Sequence, residues 1–228
     1  MTDRLSKREK CMSALLLILH VLLFPMLLAQ VITLYPDTLS DAQFNLCYYA
    51  LSFILCFILL GKYLRRSFDS LLDNIGRSIK AFLLGWVLYY VLSLIAGLLL
   101  SAVGISGSTT PNDESMSTML AGSRGIMLAA ILFLSPVVEE VIFRGGVFCG
   151  LYEKNRVLAY LASAILFALY HVWQFAYVTG DLSYLLYAIA YLPPAFALCW
   201  VYEKSGSIWT CILFHISFNA LSISVAGI

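Results

Sequence analysis

Charged residues are scarce in this chain, and that scarcity determines its class. Lys, Arg, Asp and Glu make up only 12% of the 228 residues, while 61% are hydrophobic. A soluble domain carries about 25% charged residues. The composition therefore predicts an all-α fold, a polytopic bundle of transmembrane helices, because helices satisfy their own backbone hydrogen bonds in lipid.

Several other features are absent. The net charge of +1 provides no basic field that would indicate a nucleic-acid partner. The six cysteines have no CxxC or zinc-finger spacing, and most lie in apolar runs, as packing residues do. The chain also lacks the His-Glu-x-x-His motif of helical zinc proteases, and it has no internal repeat.

Seven apolar runs are long enough to cross a bilayer, which takes about 20 helical residues. They cover approximately residues 12–34, 44–61, 81–103, 125–151, 157–178, 182–201 and 206–226. Eight spans are possible, but we expect the basic segment 62–80 to be a linker or a surface helix. The first run exceeds the apolar region of about 7–15 residues in a signal peptide, so we expect an uncleaved span.

Positive charge alternates from one connection to the next. The loops between the basic connections are mainly acidic, with Asp37 and Asp41 in the first and Asp181 in the last. By the positive-inside rule, the N-terminus is expected in the cytoplasm and the C-terminus outside. The basic connections are the N-terminus (Arg4, Lys7, Arg8, Lys10), segment 62–80, the turn 154–156 and Lys204.

The segment 135–145 places three charges inside an apolar run, namely Glu139, Glu140 and Arg144. Each charge costs roughly 2.5 to 3.5 kcal/mol in a membrane span, so each requires a partner or a function. Glu140 and Arg144 are four residues apart and can pair on one helix face. Glu139 points about 100° away. We therefore expect Glu139 to be free to act as a general base.

Two later spans carry polar residues at helical spacing. Phe167 and His171 lie on the fifth span, and His215 and Asn219 lie on the seventh. At about 1.5 Å per residue, Glu139 and His171 lie about 18–20 Å from the cytoplasmic ends of their spans, and the seventh-span pair about 14–20 Å. These side chains can therefore meet at one level, somewhat below the middle of the bilayer.

Each of these residues also has a purely structural explanation. A single intramembrane His or Asn usually makes a packing hydrogen bond between helices. Glu140 with Arg144 could be a packing ion pair, and Phe167 could be a core residue. His20, on the first span, is expected to be such a packing residue. The matched depth of the other residues, together with a glutamate without a partner, favours a shared site.

The three motifs resemble those of the CPBP intramembrane proteases, a family that includes CaaX-processing endopeptidases and bacterial Abi, or bacteriocin-processing, proteins. The resemblance covers about residues 120–225, and spans one to three match nothing recognisable. It implies a multi-pass protease of the cell membrane whose site lies in a cavity reached from the cytoplasm. The motifs are Glu139-Glu140-x-x-x-Arg144, Phe167-x-x-x-His171 and His215-x-x-x-Asn219.

The resemblance also implies roles for the residues. Glu139 and His171 would activate a water, while His215 and Asn219 would stabilise the oxyanion. Glu140, Arg144 and Phe167 would support the site. We expect this glutamic mechanism to need no cofactor.

Zinc is the alternative cofactor, held by Glu139, His171 and His215 with an open position. That arrangement would leave only Glu140 as a possible general base, and Glu140 is expected to pair with Arg144. The metal-free mechanism is therefore favoured.

We expect one integral membrane domain, 1–228, in which spans one to three (1–120) are accessory and 121–228 form the catalytic core. The expected substrate is a membrane-associated peptide or lipidated protein, either a prenylated CaaX tail or a leader or signalling peptide. The short loops leave no room for a large recognition domain, which counts against the CaaX tail. The oligomeric state is not predicted.

Two other functions remain open. The same fold could act as a bacteriocin-immunity or binding protein that needs no catalysis. A proton-coupled transporter would also bury Glu, His and Arg side chains, but the chain lacks the two similar halves typical of transporters.

Overall fold

The structure is a computed structural model that describes residues 5–35, 39–102, 104 and 110–226. Arg4 and Asp37, which contribute to the predicted orientation, lie outside these residues. Within them, six helices are long and apolar enough to cross a membrane, or seven if one bent pair forms a single span. The described residues contain helices and no strands, so the predicted all-α bundle of about seven spans is confirmed. The orientation stays a prediction.

Nine helices follow one another along the described chain. Two of them, Arg156–Tyr170 and Trp173–Thr179, are bent by 43° relative to each other and together make one candidate span. In order they are α1 (Lys7–Leu34), α2 (Asp41–Asp73), α3 (Ile75–Ala102), α4 (Pro111–Gly122), α5 (Arg124–Tyr152), α6 (Arg156–Tyr170), α7 (Trp173–Thr179), α8 (Leu182–Ser205) and α9 (Ile208–Ala226).

The segment 62–80 is neither a linker nor a separate surface helix. Helix α2 continues through it to Asp73, bends at Leu60, and meets α3 at Asn74. An eighth span is also not found in the described chain. Lys and Arg are good helix formers, so the two helices extend beyond their apolar parts instead of ending there.

The connection between the third and fourth predicted spans also contains an unpredicted helix, α4. Thr110 and Asp113 form a capping box at its start, and Pro111 occupies the first turn. These residues satisfy the free N–H groups of the first helical turn. The α7–α8 junction is capped similarly, because Asp181 accepts the Ser183 backbone N–H, which holds the pKa of Asp181 below its usual range.

Helix α5 is the central helix of the bundle. Its apolar stretch is 67% buried, whereas the stretches of the other five unbroken spans are 11–39% buried. Its hydrogen bonding widens to a π-type turn at Ala130–Leu134, just before Pro136, and again at Val141–Phe148. Proline lacks an N–H and clashes with the carbonyl four residues earlier, which accounts for the first widening. Such wide turns are frequent at functional sites, and the second begins directly after Glu140.

The two ends of the bundle differ in charge. We call the start of α1 and the α2–α3, α5–α6 and α8–α9 junctions the basic end, and these elements carry 11 of the 14 Lys and Arg residues. Polar contacts join them to one another. The contacts are Lys10–Glu153 at 3.1 Å, Arg66–Glu9 at 3.0 Å, Arg156–Glu203 at 2.7 Å, and a hydrogen bond from Arg77 to the Lys204 carbonyl.

Candidate active site

Three of the predicted side chains converge near the middle of α5. The Oε2 atom of Glu139 lies 3.8 Å from Nε2 of His171 and 3.9 Å from Nε2 of His215. Glu139 is only 3% exposed. Helices α5 and α9 and the break after α6 thus each contribute one ionisable group to the same point, as matched depths require.

His171 occupies the break between α6 and α7, where the regular helix stops. Its Nδ1 lies 2.9 Å from the Phe167 carbonyl, which can only accept, so Nδ1 carries the hydrogen. The ring packs against Phe167 and stacks on Tyr191, with both centroids at 4.5 Å. In the neutral imidazole these contacts leave the Nε2 lone pair directed at Glu139.

Glu140 is fully buried and has three side-chain partners. Its Oε1 accepts from Arg144 at 3.0 Å and from Nδ1 of His215 at 2.8 Å, while Oε2 accepts the Cys211 thiol at 3.0 Å. The expected pair with Arg144 is therefore present. The contact with His215 was not expected, and it fixes the ring so that Nε2 faces Glu139.

Arg144 and Phe167 complete the support below the site. Arg144 is fully buried and also donates to the Ala195 carbonyl of α8 at 3.1 Å. Its guanidinium carbon lies 4.2 Å from the centre of the Phe167 ring, at cation–π distance. Phe167 therefore links the charged pair to His171, which its carbonyl holds.

Asn219 lines the same cavity as the three converging residues. One of its amide hydrogens is donated to the Ile131 carbonyl of α5 at 2.9 Å. An amide nitrogen carries two hydrogens, so this bond orients the group and leaves a second donor.

Sequence reasoning missed a set of contacts made by α1 and α2. The Tyr49 hydroxyl donates to Oε1 of Glu139 at 2.9 Å and lies 3.0 Å from the Tyr170 hydroxyl. Tyr170 in turn lies 3.0 Å from Nε2 of His20, whose Nδ1 is 2.8 Å from Ser52. The prediction that Glu139 has no partner was wrong for this oxygen, and spans one and two help to build the site. The polar His20 in the first apolar run was the available signal.

The other oxygen of Glu139 is different. Oε2 is buried and has no hydrogen-bond partner among the described residues. Its distances to the two histidine nitrogens exceed hydrogen-bond length. They suit one small polar molecule that contacts all three atoms at about 2.8 Å each, as a bridging water does.

The same donor set can be tested against zinc. Two imidazole nitrogens and one carboxylate oxygen are acceptable zinc ligands. Tetrahedral ligands at about 2.0–2.1 Å from zinc lie about 3.3 Å apart, whereas the nitrogen–oxygen distances here are 3.8 and 3.9 Å. Within the described residues, no group of three His, Cys, Asp or Glu side chains is arranged to hold a metal ion.

A cavity of about 1010 Å³ contains the site. Pockets for small ligands measure about 300–1,000 Å³, so a short peptide segment can enter. Its walls are mostly apolar and aromatic, and they include Tyr49, Tyr191 and Phe218 besides the candidate residues. Apolar walls with a few convergent polar groups favour a ligand with a hydrophobic surface.

A model of a known protein family matches the second half of the chain. Residues 122–221 match the family model described as "Type II CAAX prenyl endopeptidase Rce1-like". This range contains all seven predicted site residues. No solved structure matches the chain.

Three curated bacterial proteins are also similar. "Putative membrane peptidase YdiL" of Bacillus subtilis is 27% identical over 179 residues, which cover 76% of this chain and 68% of that protein. Two Lactococcus lactis proteins, UPF0177 protein YxdF and UPF0177 protein YvdC, are 33% and 22% identical over 49% and 63% of this chain. The matches span only 57% and 51% of those two relatives. With the helical bundle and its three motifs, these similarities support assignment of this membrane protein to the CPBP family, which includes the CAAX-type membrane proteases.

Proposed function

We propose that this chain is an intramembrane endopeptidase of glutamic type that hydrolyses a membrane-associated peptide. One observation carries the proposal. A buried carboxylate oxygen without a partner among the described residues faces two histidine nitrogens at 3.8 and 3.9 Å inside a cavity of about 1010 Å³. That arrangement suits a water molecule held for attack on a carbonyl carbon.

In this mechanism Glu139 is the general base. Its Oε2 takes one proton from the water, while Nε2 of His171 accepts a hydrogen bond from the other hydrogen, which stays on the oxygen and orients it. The water attacks the peptide carbonyl, and Glu139 then returns the proton to the leaving amine. The Tyr49 hydroxyl on Oε1 keeps the carboxylate aimed at the water.

His215 and Asn219 supply the donors for the oxyanion. The Nδ1 atom of His215 donates to the Glu140 carboxylate at 2.8 Å, and this bond turns Nε2 toward the cavity, where its protonated form would donate to the oxyanion. The second amide hydrogen of Asn219 is the other donor.

We propose that no metal takes part. Zinc would be held by Glu139, His171 and His215, where it would activate the water as a Lewis acid. Glu140, the remaining carboxylate nearby, is engaged by Arg144, His215 and Cys211 and has no free oxygen to act as base. Activity that disappears on chelation and returns with zinc would overturn the metal-free mechanism.

The substrate class follows from the cavity and from the chain's location in a membrane. We propose a peptide or lipidated protein segment that lies at the cell membrane, because apolar walls favour a partly hydrophobic ligand. The CAAX prenyl endopeptidase description of the matching family model makes a prenylated peptide one member of this class to test.

The test is cleavage of a mixed library of lipidated and unlipidated peptides by the purified protein in detergent, read by mass spectrometry. Glu139→Gln should abolish cleavage without unfolding the protein, because an amide cannot accept the proton. The matched control is Glu153→Gln, which removes an exposed carboxylate paired with Lys10 and should leave cleavage intact. Equal cleavage by wild type and Glu139→Gln would disprove the assignment. A folded wild type that cleaves nothing would favour an immunity or binding role.

A further inference from the structure

The cavity lies mainly in the half of the bundle remote from the basic end. Most of its lining residues on the long helices come from that half, Glu139, Pro194 and His215 mark its deepest level near the middle of the bundle, and α4 contributes to its wall. Because α4 belongs to a connection between spans, the cavity reaches the end of the bundle. The lining residues from this connection are Thr110, Asn112, Asp113, Ser115, Met116, Ser117, Met119 and Leu120.

The basic half is closed below the site. Phe148, Tyr63, Tyr202 and Ile208, from four different helices, are all 0% exposed. The hydroxyls of Tyr63 and Tyr202 lie 2.9 Å apart across this layer. Directly beneath Glu139 the fully buried Glu140 and Arg144 fill the remaining space. A peptide therefore has no described route to Glu139 from the basic end.

The charge asymmetry identifies the two sides of the membrane. The basic end carries 11 of the 14 Lys and Arg residues, whereas the described connections of the opposite end carry Arg124 alone, beside Asp41, Asp113, Glu114 and Asp181. Basic connections are retained in the cytoplasm. The closed half is thus the cytoplasmic half, and the cavity mouth lies on the other side.

We infer that the site takes its peptide from the extracytoplasmic side of the membrane. The substrates are then exported peptides or the outer segments of membrane proteins, and cytoplasmic C-terminal tails are excluded. That the peptide is cleaved rests on the proposed function, whereas the side of the membrane from which the cavity is reached rests on geometry and charge alone. It reverses the cytoplasmic access that the family resemblance implies.

The direction of substrate access can be tested with sealed right-side-out and inside-out vesicles. Each preparation is given a membrane-impermeant peptide that the detergent-solubilised protein cleaves. We expect cleavage by right-side-out vesicles, and by inside-out vesicles only after detergent is added. Cleavage by intact inside-out vesicles, alone or equally with the other preparation, would overturn the inference. Failure of the detergent-solubilised protein to cleave any peptide would instead contradict the proposed function.

A labelling experiment decides the direction without catalysis. Ser135 lines the cavity one helical turn from Glu139, and Ser135→Cys is nearly isosteric. In a background with the exposed Cys11 and Cys47 replaced by serine, a small impermeant thiol reagent should label this cysteine in right-side-out vesicles only. Labelling from the inside-out side alone would overturn the inference, and so would equal labelling from both.

Three further single cysteines calibrate the labelling. Asp69→Cys, at the basic end, should react only in inside-out vesicles, and Asp181→Cys, at the opposite end, only in right-side-out ones. Reversed reactivity of this pair would show that the orientation, and with it the inference, is wrong. Ser163→Cys, which is 0% exposed and donates to the Phe143 carbonyl, should react in neither preparation.

Discussion

At the scale of single residues, Tyr49 is the side chain that aims Glu139. It donates to Oε1 at 2.9 Å, and hydrogen bonds to charged groups contribute about 1.5–3 kcal/mol. Tyr49→Phe should therefore lower kcat about 10- to 100-fold and leave KM nearly unchanged, because the carboxylate is misdirected and the cavity is intact. Steady-state kinetics measure the split.

Tyr48→Phe is the matched control for that experiment. Tyr48 is the adjacent residue on α2, and its hydroxyl donates to the His20 carbonyl at 2.8 Å. It should keep a kcat close to that of the wild type. Equal losses in the two variants would show that the tyrosines stabilise the helices without positioning the base.

Asn219 supports the oxyanion in the proposed mechanism. Asn219→Ala should lower kcat by about 10²–10³, the usual cost of one oxyanion donor. Asn45→Ala, which removes another cavity amide bonded to the Asp41 carbonyl, should have little effect on kcat. A rise in KM with unchanged kcat for Asn219→Ala would assign the residue to substrate binding instead.

Arg144 is a stability residue as well as a support for the site. Arg144→Met leaves Glu140 buried without its cation, which should reduce the free energy of unfolding by about 3–5 kcal/mol. Adding Glu140→Gln should recover much of that stability but no activity, because His215 then lacks its carboxylate partner. Thermal unfolding in detergent, measured beside cleavage, separates the two effects, and a stable, active Arg144→Met would contradict both roles.

The sequence indicated some of these residues and not others for a physical reason. Glu139, His171 and His215 are ionisable groups in apolar spans, and a polar group in lipid needs an explanation. Tyr49 gives no such signal, because the chain has 14 tyrosines and aromatic side chains are common in membrane spans. Its contact with a residue 90 positions away depends on how α2 packs on α5.

At the scale of helices, small residues set how closely α3 approaches α8 and α9. A Cβ added at Gly85 would lie 2.4 Å from a Val201 methyl and 3.2 Å from the Phe214 ring. Gly85→Ala should therefore force the helices apart, at a cost of about 1–3 kcal/mol of stability. Gly97, on the same helix, has nothing within 4 Å of its added Cβ. Gly97→Ala should be neutral or slightly stabilising, and equal effects of the two substitutions on thermal unfolding would contradict the packing argument.

Helix positions were predicted from apolar run length, and their ends were not. The run 44–61 predicted a span that the structure extends to Asp73, because backbone hydrogen bonding continues after hydrophobicity stops. Helix α4 was missed for the opposite reason: its composition is polar, and its start depends on the local Thr110–Asp113 capping box. The length of an apolar run reflects the thickness of the bilayer, whereas capping residues and helix propensities determine where a helix begins and ends.

At the scale of the whole molecule, the field around the cavity mouth should select substrates by charge. The described lining residues include Asp113 and Glu139 and contain no Lys or Arg, while Glu114 and Asp181 line a smaller cavity beside the mouth. A cleft lined by one sign of charge concentrates ligands of the other sign. A peptide flanked by lysines should therefore have a several-fold higher kcat/KM than the same peptide flanked by glutamates.

Salt and one substitution separate this steering from a direct contact. The preference should shrink as ionic strength approaches about 1 M, where the Debye length is only about 3 Å. Asp113→Asn should reduce it at low salt and leave kcat unchanged, because Asp113 is exposed and lies on α4, away from the Glu139–His171–His215 cluster. A preference that is insensitive to both salt and Asp113→Asn would mean that the charge of the peptide is read inside the cavity, close to Glu139.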